Sequence, residues 1–222
     1  MVWTLPNLLT VARIALAPAV AVLPFVHGYL PKVIAFVVFL TAAISDIYDG
    51  RIARERGEIT DLGKLLDPLA DKLLLVAALV PIYWLTRAPD GVYAMPWWGG
   101  LPVWVAAVLV GREVAMTLVR QFAKRRGVVI AAAGAGKAKT ILQNVFIGAA
   151  ILWLAWKDLR SAFSVQSSGF GAVWETLHGT VTAIALAGAL VLTIYSLGVY
   201  MYRYRDVIAG RDASSQGLGN GR

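Results

Sequence analysis

Long stretches without a formal charge divide this chain. They run from Ile14 to Pro31, Val33 to Ser45, Leu73 to Thr86, Gly91 to Gly111, Thr140 to Trp156 and Thr176 to Tyr202. A helix of roughly 20 apolar residues crosses a bilayer and satisfies its own backbone hydrogen bonds there. Of the 222 residues, 59% are hydrophobic and only 15% are charged, whereas soluble domains carry about 25% charged residues. A soluble globule, a disordered chain and a nucleic-acid arm all fit poorly. The chain has no cysteine, which excludes disulfides, zinc–thiolate sites and thiol nucleophiles. Two histidines, His27 and His178, are too few for a histidine-rich metal site.

Several of the runs reach spanning length only when charged residues at one end are included. The expectation is an all-α integral membrane protein with six transmembrane helices, over residues 11–29, 33–52, 62–86, 100–123, 136–156 and 176–203. A short interfacial segment from Val2 to Asn7, anchored by Trp3, is expected ahead of the first helix. No basic residue precedes the first apolar run, so a cleavable signal peptide is not expected. Lys32, Arg87, Lys157 and Arg160 fall on one side of the bilayer. Arg51, Arg54, Arg56, Lys124, Arg125, Arg126, Arg203, Arg205, Arg211 and Arg222 fall on the other. The second side is cytoplasmic by the positive-inside rule, and both termini lie there. The net charge of +8 then reflects lipid head groups rather than nucleic acid. Residues 1–205 read as one domain embedded in the cell's inner (cytoplasmic) membrane. Residues 206–222 read as a flexible cytoplasmic tail, and the polar loop 157–175 is also expected to be flexible.

The charges inside the helices share one end. They are Arg13; Asp46 and Asp49; Asp67, Asp71 and Lys72; Arg112, Glu113 and Arg120; and Lys137 and Lys139. An ionised side chain facing lipid costs about 2.5–3.5 kcal/mol even on the lenient insertion scale. Lysine and arginine can snorkel to the surface; aspartate is too short. A polar cavity among the helices, open to the cytoplasmic side, is the expected solution.

Four of these acids share a pattern. Residues three or four apart lie on one face of a helix. Asp46, Asp49, Gly50 and Ala53 therefore line one side of the second helix, and Gly63, Asp67 and Asp71 one side of the third. The short connection makes the two helices antiparallel neighbours, so four carboxylates converge. They repel, and they stay ionised only around cations. All-oxygen donors select magnesium or manganese. Two aspartates from each helix suit a pair of ions roughly 3.5–4 Å apart, the spacing of two-metal phosphoryl chemistry. Gly50, Ala53 and Gly63 leave room beside them, and Arg54 offers a fork for phosphate. Asp61 is assigned as the N-cap of the third helix. Small residues alone read as helix packing, and a lone aspartate as a proton relay or an arginine's partner. The matched spacing on two helices favours the metal site.

The run Asp46-x2-Asp49-Gly50-x2-Ala53-Arg54-x8-Gly63-x3-Asp67-x3-Asp71 resembles the signature of the CDP-alcohol phosphotransferases, without a gap. The resemblance implies a six-helix, usually dimeric protein that moves a phosphatidyl group from CDP-diacylglycerol to an alcohol and releases CMP. It implies that Asp46, Asp49, Asp67 and Asp71 bind two metal ions, with Asp71 also the general base. Gly50, Ala53 and Gly63 would accept the cytidine nucleotide, and Arg54 its phosphate.

The acceptor is addressed by three further segments. Leu5-Pro6-Asn7 through Thr10 and Arg13 resembles the start of the family members that use glycerol 3-phosphate, and of related cardiolipin-forming members. Gly111-Arg112-Glu113 with Arg120, and Gly136-Lys137-Ala138-Lys139-Thr140-x2-Gln143, resemble the former, although Gln121 replaces an expected Glu. Arg112, Arg120, Lys137 and Lys139, with Thr10 and Arg13 at the edge, are candidates for a clamp on an acceptor phosphate. Neutral glycerol or inositol would not need so much positive charge. The competing assignment pairs Glu113 with Arg112 or Lys137 to join helices 4 and 5, and turns Lys139 to lipid head groups. Inositol phosphate or phosphatidylglycerol are alternative acceptors. A divalent-cation transporter is a rival of another class, but no polar path continues to the outer face.

Overall fold

A computed structural model describes residues 4–56, 60–125, 135–163 and 169–203. Within them the chain forms six α-helices and one 3-10 turn. The helices are α1 (Leu5–Val22), α2 (Tyr29–Arg56), α3 (Asp61–Thr86), α4 (Val103–Arg125), α5 (Ala135–Ala162) and α6 (Phe170–Arg203). Five of them contain stretches long and apolar enough to cross a membrane: Leu5–Phe25, Tyr29–Asp46, Leu66–Thr86, Ala138–Ala162 and Phe170–Tyr202. The exception is α4, which carries Arg112 and Glu113 at its middle and Arg120, Lys124 and Arg125 toward its end.

Several boundaries differ from the sequence-based expectation. Leu5, Pro6 and Asn7 of the expected interfacial segment form the first turn of α1, while Val2 and Trp3 lie outside the described residues. Pro6 is tolerated there because the first N–H groups of a helix have no intrahelical partner. The same helix stops at Val22 and gives way to a 3-10 turn over Leu23–Phe25 that contains Pro24. At the other end of the chain, α5 and α6 take over most of what looked like a polar loop at 157–175. Polarity misled there, because its charges lie on helix ends. The N-cap of α3 is Thr60 rather than Asp61: the Thr60 hydroxyl accepts the Gly63 N–H at 3.0 Å. The expected tail at 206–222 lies outside the described residues.

Helix α1 packs along α2 and α3, α5 along α2 and α6, while α4 rests more lightly against α3 and α6. Phe39, Leu79, Ile82, Leu109, Phe146, Ile151 and Trp153 fill the centre, interleaved with Ala35, Ala42, Ala78, Ala150 and Ala185. Lipid gives helices no hydrophobic reason to associate, so close packing of small residues carries the attraction. Gly188 shows the tightness of the α5–α6 seam: a Cβ there would sit 2.8 Å from Leu142 Cδ1.

The end of the bundle formed by the start of α2 and the end of α5 is tied by polar contacts. Lys32, 2% exposed, donates to Asp158 Oδ2 at 2.7 Å and to the Val26 carbonyl at 3.0 Å. Tyr93 donates to the other Asp158 oxygen at 2.6 Å and lies under the Lys32 ammonium. Burial, then the bond to Asp158, push the Tyr93 phenol above its ordinary range. Arg160 and Trp156 both donate to Glu175 Oε1, at 2.6 and 3.2 Å, joining α5 to α6.

Candidate functional site

The opposite end, where α1, α3 and α5 begin and α2, α4 and α6 finish, holds the embedded acids. Asn7, Thr10 and Arg13 recur every third residue on α1 and form one polar stripe. All three are buried although they are polar. The stripe faces the carboxylates of α2 and α3. Arg13 Nη1 donates to Asp46 Oδ1 at 2.6 Å and to Asp71 Oδ1 at 2.8 Å. One guanidinium nitrogen thus bridges acids from two helices. The hydroxyl of Thr10 donates to Asp67 Oδ1 at 2.8 Å. Asn7 exchanges two hydrogen bonds with the capping Thr60, at 2.9 and 3.0 Å.

Gly63 packs directly against the Asn7 side chain of α1. A Cβ there would lie 2.7 Å from Asn7 Oδ1 and 3.2 Å from Thr60 Oγ1, so a side chain would press on the cap itself. Arg13 is 1% exposed, whereas the Asp46 and Asp71 side chains are 37% and 56% exposed. The acids therefore keep an open side, and the arginine backs them from within.

Beside them, α4 contributes a second charged group. Arg112 Nη1 donates to Glu113 Oε1 at 2.9 Å, and its Nη2 to Ser196 of α6 at 3.0 Å. Lys139, from the first turns of α5, also contacts Glu113 Oε1. The ammonium lies within electrostatic reach of Asp71. Lys139 is buried, which argues against the competing assignment of this residue to lipid head groups. Glu113 does join α4 to α5, through Lys139, while its bond to Arg112 stays within α4. Among the described residues, Arg112 Nε and Gln143 Oε1 are buried without a hydrogen-bond partner. Polar atoms left so are costly unless something else binds them.

Each expected site residue can now be located. The structure gathers Thr10, Arg13, Asp46, Asp67 and Asp71 into one network, and Arg112 and Lys139 into a neighbouring one. Thr10 and Arg13 hold carboxylates, rather than standing free at the edge of a clamp. The side chain of Arg120 is exposed on the last turns of α4. Asp49, Gly50, Ala53, Arg54 and Lys137 lie on helical backbone, but their side chains fall outside the described residues. Ser196 was missed. Its signal is a pair of polar residues, Thr193 and Ser196, three apart in the largely apolar second half of α6.

Whether these residues suit a metal is a question of donor chemistry. Among the described residues, no three His, Cys, Asp or Glu side chains form a group able to hold an ion. Asp49 is not among the side chains that describe the site. Asp46, Asp67 and Asp71 offer only oxygen, from two adjoining helices and with an open side, which is the donor type a hard divalent ion prefers, although these three alone do not form a group able to hold one.

A membrane-type helical bundle with acids on two adjoining helices beside a buried basic cluster defines a class, and comparison with known proteins agrees. The chain belongs to the CDP-alcohol phosphatidyltransferase family, whose model matches residues 3–195. It is 36% identical over 215 residues to a probable phosphatidylglycerophosphate synthase of Mycobacterium tuberculosis, covering 95% of this chain and 87% of that relative. It is 34% identical over 195 residues to the CDP-diacylglycerol–glycerol-3-phosphate 3-phosphatidyltransferase of Bacillus subtilis, covering 82% and 91%. An enzyme of the same name from Cereibacter sphaeroides is 36% identical over 185 residues, covering 82% and 76%.

Proposed function

We propose that this protein transfers a phosphatidyl group from CDP-diacylglycerol to glycerol 3-phosphate, forming phosphatidylglycerophosphate and CMP. The observation that carries the reading is the juxtaposition of two networks: carboxylates of α2 and α3 with an open side, and buried Arg112 and Lys139 beside them. The names and lengths of the relatives support it.

Asp46, Asp49, Asp67 and Asp71 would hold two magnesium or manganese ions. Such ions neutralise the charge of a pyrophosphate without protons. Gly50, Ala53 and Gly63 leave space for the cytidine nucleotide, and Arg54 meets its phosphate. Asp71 takes the proton of the acceptor hydroxyl. That oxygen forms a bond to the phosphorus carrying diacylglycerol, the bond from that phosphorus to CMP breaks, and CMP leaves with the electron pair. Arg112, Arg120, Lys137 and Lys139 hold the acceptor phosphate, with Thr10 and Arg13 where clamp and acids meet.

The chain would span the inner membrane six times, α4 included, as one domain over residues 1–205. The acidic end would form a cavity open to the cytoplasm, where both termini and the flexible tail 206–222 lie, and the enzyme would act as a homodimer. The bilayer-embedded donor and the soluble acceptor then meet at one surface.

The test is an acceptor panel. Purified protein with CDP-diacylglycerol should release CMP with glycerol 3-phosphate and not with inositol phosphate or phosphatidylglycerol, and EDTA should stop it. CMP release with inositol phosphate but not glycerol 3-phosphate would overturn the assignment.

A further inference from the structure

Carboxylates that bind metal ions must be held apart from one another and aimed together before the ion arrives. Among the described residues, the carboxylates of α2 and α3 by themselves offer one another only like charge, which repels. The polar stripe of α1 supplies what is missing. Its three members sit on successive turns of one face, and each grips a different part of the acidic end. Arg13 ties Asp46 to Asp71, Thr10 ties Asp67, and Asn7 ties the cap of the helix that carries Asp67 and Asp71.

The directions of these bonds matter. The single Thr10 hydroxyl proton faces two acceptors, Asp67 Oδ1 at 2.8 Å and the Pro6 carbonyl of its own helix at 3.1 Å, and the shorter contact is the one to Asp67. Arg13 is almost wholly enclosed, and its planar fork cannot follow a carboxylate that swings toward water. Both side chains approach from inside the bundle. The exposed faces of Asp46, Asp67 and Asp71 stay open for an ion. The charge on Arg13 also disperses the repulsion between Asp46 and Asp71 while the ion is absent.

We infer that Arg13 and Thr10 are positioning residues for the metal-binding carboxylates, and that α1 is the strut that pre-aims them. This rests on the proposed metal chemistry and adds a task for a helix outside the signature. It separates Arg13 and Thr10 from the acceptor clamp: their loss should be felt by the metal, not by glycerol 3-phosphate.

The experiment titrates Mn2+ into the purified full-length protein in detergent, without CDP-diacylglycerol, and follows free Mn2+ by electron paramagnetic resonance. Arg13→Gln and Thr10→Ala should each weaken Mn2+ binding by about 10-fold, the lower end of the range for groups that orient metal ligands. Arg13→Lys and Thr10→Ser should recover most of that loss, which separates positioning from simple misfolding. The KM for glycerol 3-phosphate at saturating Mn2+ should not change. Unchanged Mn2+ affinity in both variants, with a raised acceptor KM, would return the two residues to the clamp and overturn the inference. If the unaltered protein binds no Mn2+, the metal reading itself fails and takes this one with it.

Discussion

The two ends of the bundle both bury charge, and they treat it differently. At the Lys32 end, both oxygens of Asp158 are occupied, one by Lys32 and one by Tyr93, and the acid is only 13% exposed. The Tyr93 ring lies under the Lys32 ammonium, so this charged triad is matched, although the indole nitrogens of Trp98 and Trp174 at the same end are buried without a hydrogen-bond partner among the described residues. At the acidic end, three carboxylates share two donors from α1, their outer faces are open, and buried atoms of Arg112 and Gln143 stand without partners among the described residues. The contrast distinguishes a fastening from a workplace. A finished network stabilises the fold. One left unfinished, in a place where an uncompensated charge is expensive, is a place for ligands.

The largest expected effect tests that the open end does chemistry. Asp71→Asn keeps an oxygen for Arg13, so the network should hold, while the proton acceptor is lost. Turnover should fall by roughly 10²–10⁴-fold, with Mn2+ and CMP still bound; full activity would remove Asp71 from the base role. The reverse holds at the closed end. Lys32→Met leaves Asp158 with a buried, unpaired charge, which costs about 3–5 kcal/mol. Thermal unfolding in detergent should report that loss, while KM values below the transition stay put. Because the Tyr93 phenol is pushed upward, its bond to Asp158 is intact below about pH 10. The stability that this bond adds is lost only as the pH rises above that. The stability contrast between Lys32→Met and the unaltered protein should therefore be flat from pH 6 to 9.

The two ends were not equally legible. The acids of α2 and α3 stand out because carboxylates in apolar runs are rare and their spacing matches a helical turn. The placement of Gly63 against Asn7, by contrast, depends on how closely α1 approaches α3, and no periodicity encodes an approach distance. For the same reason Arg13 looked like a phosphate ligand. From one sequence the rotation of α1 is open, and a basic residue suits a phosphate as well as a carboxylate. The Lys32–Asp158–Tyr93 tie joins residues up to 126 positions apart, so each member looked like an ordinary loop charge or ring. Ranges slipped mainly at proline and at charged helix ends. The expected interfacial segment ran to Asn7, although the first turn of a helix accepts Pro6.

A middle-sized effect probes the clamp beside the acids. Arg112→Ala removes two charge-assisted bonds, to Glu113 and Ser196, while Lys139 still partners Glu113. If Arg112 grips the acceptor phosphate, the KM for glycerol 3-phosphate should rise by about 10- to 100-fold, the equivalent of one hydrogen bond to a charged group. Mn2+ affinity should be unaffected. An unchanged acceptor response would make Arg112 a tie between α4 and α6, and the acidic end would then share the closed character of the other.

The smallest effect separates two readings of Gly63, which the resemblance assigns to the nucleotide and the structure presses against Asn7. Gly63→Ala forces the Asn7 amide to move, an overpacking cost of about 1–3 kcal/mol. Asn7→Ala in the same chain removes the obstructing oxygen and should restore most of the lost stability. If nucleotide contact is also a reason for glycine here, CMP affinity should stay weakened in the double variant even though its stability returns. Recovery of both together would leave Gly63 with a purely structural task, that of letting α1 come close enough to hold the acids.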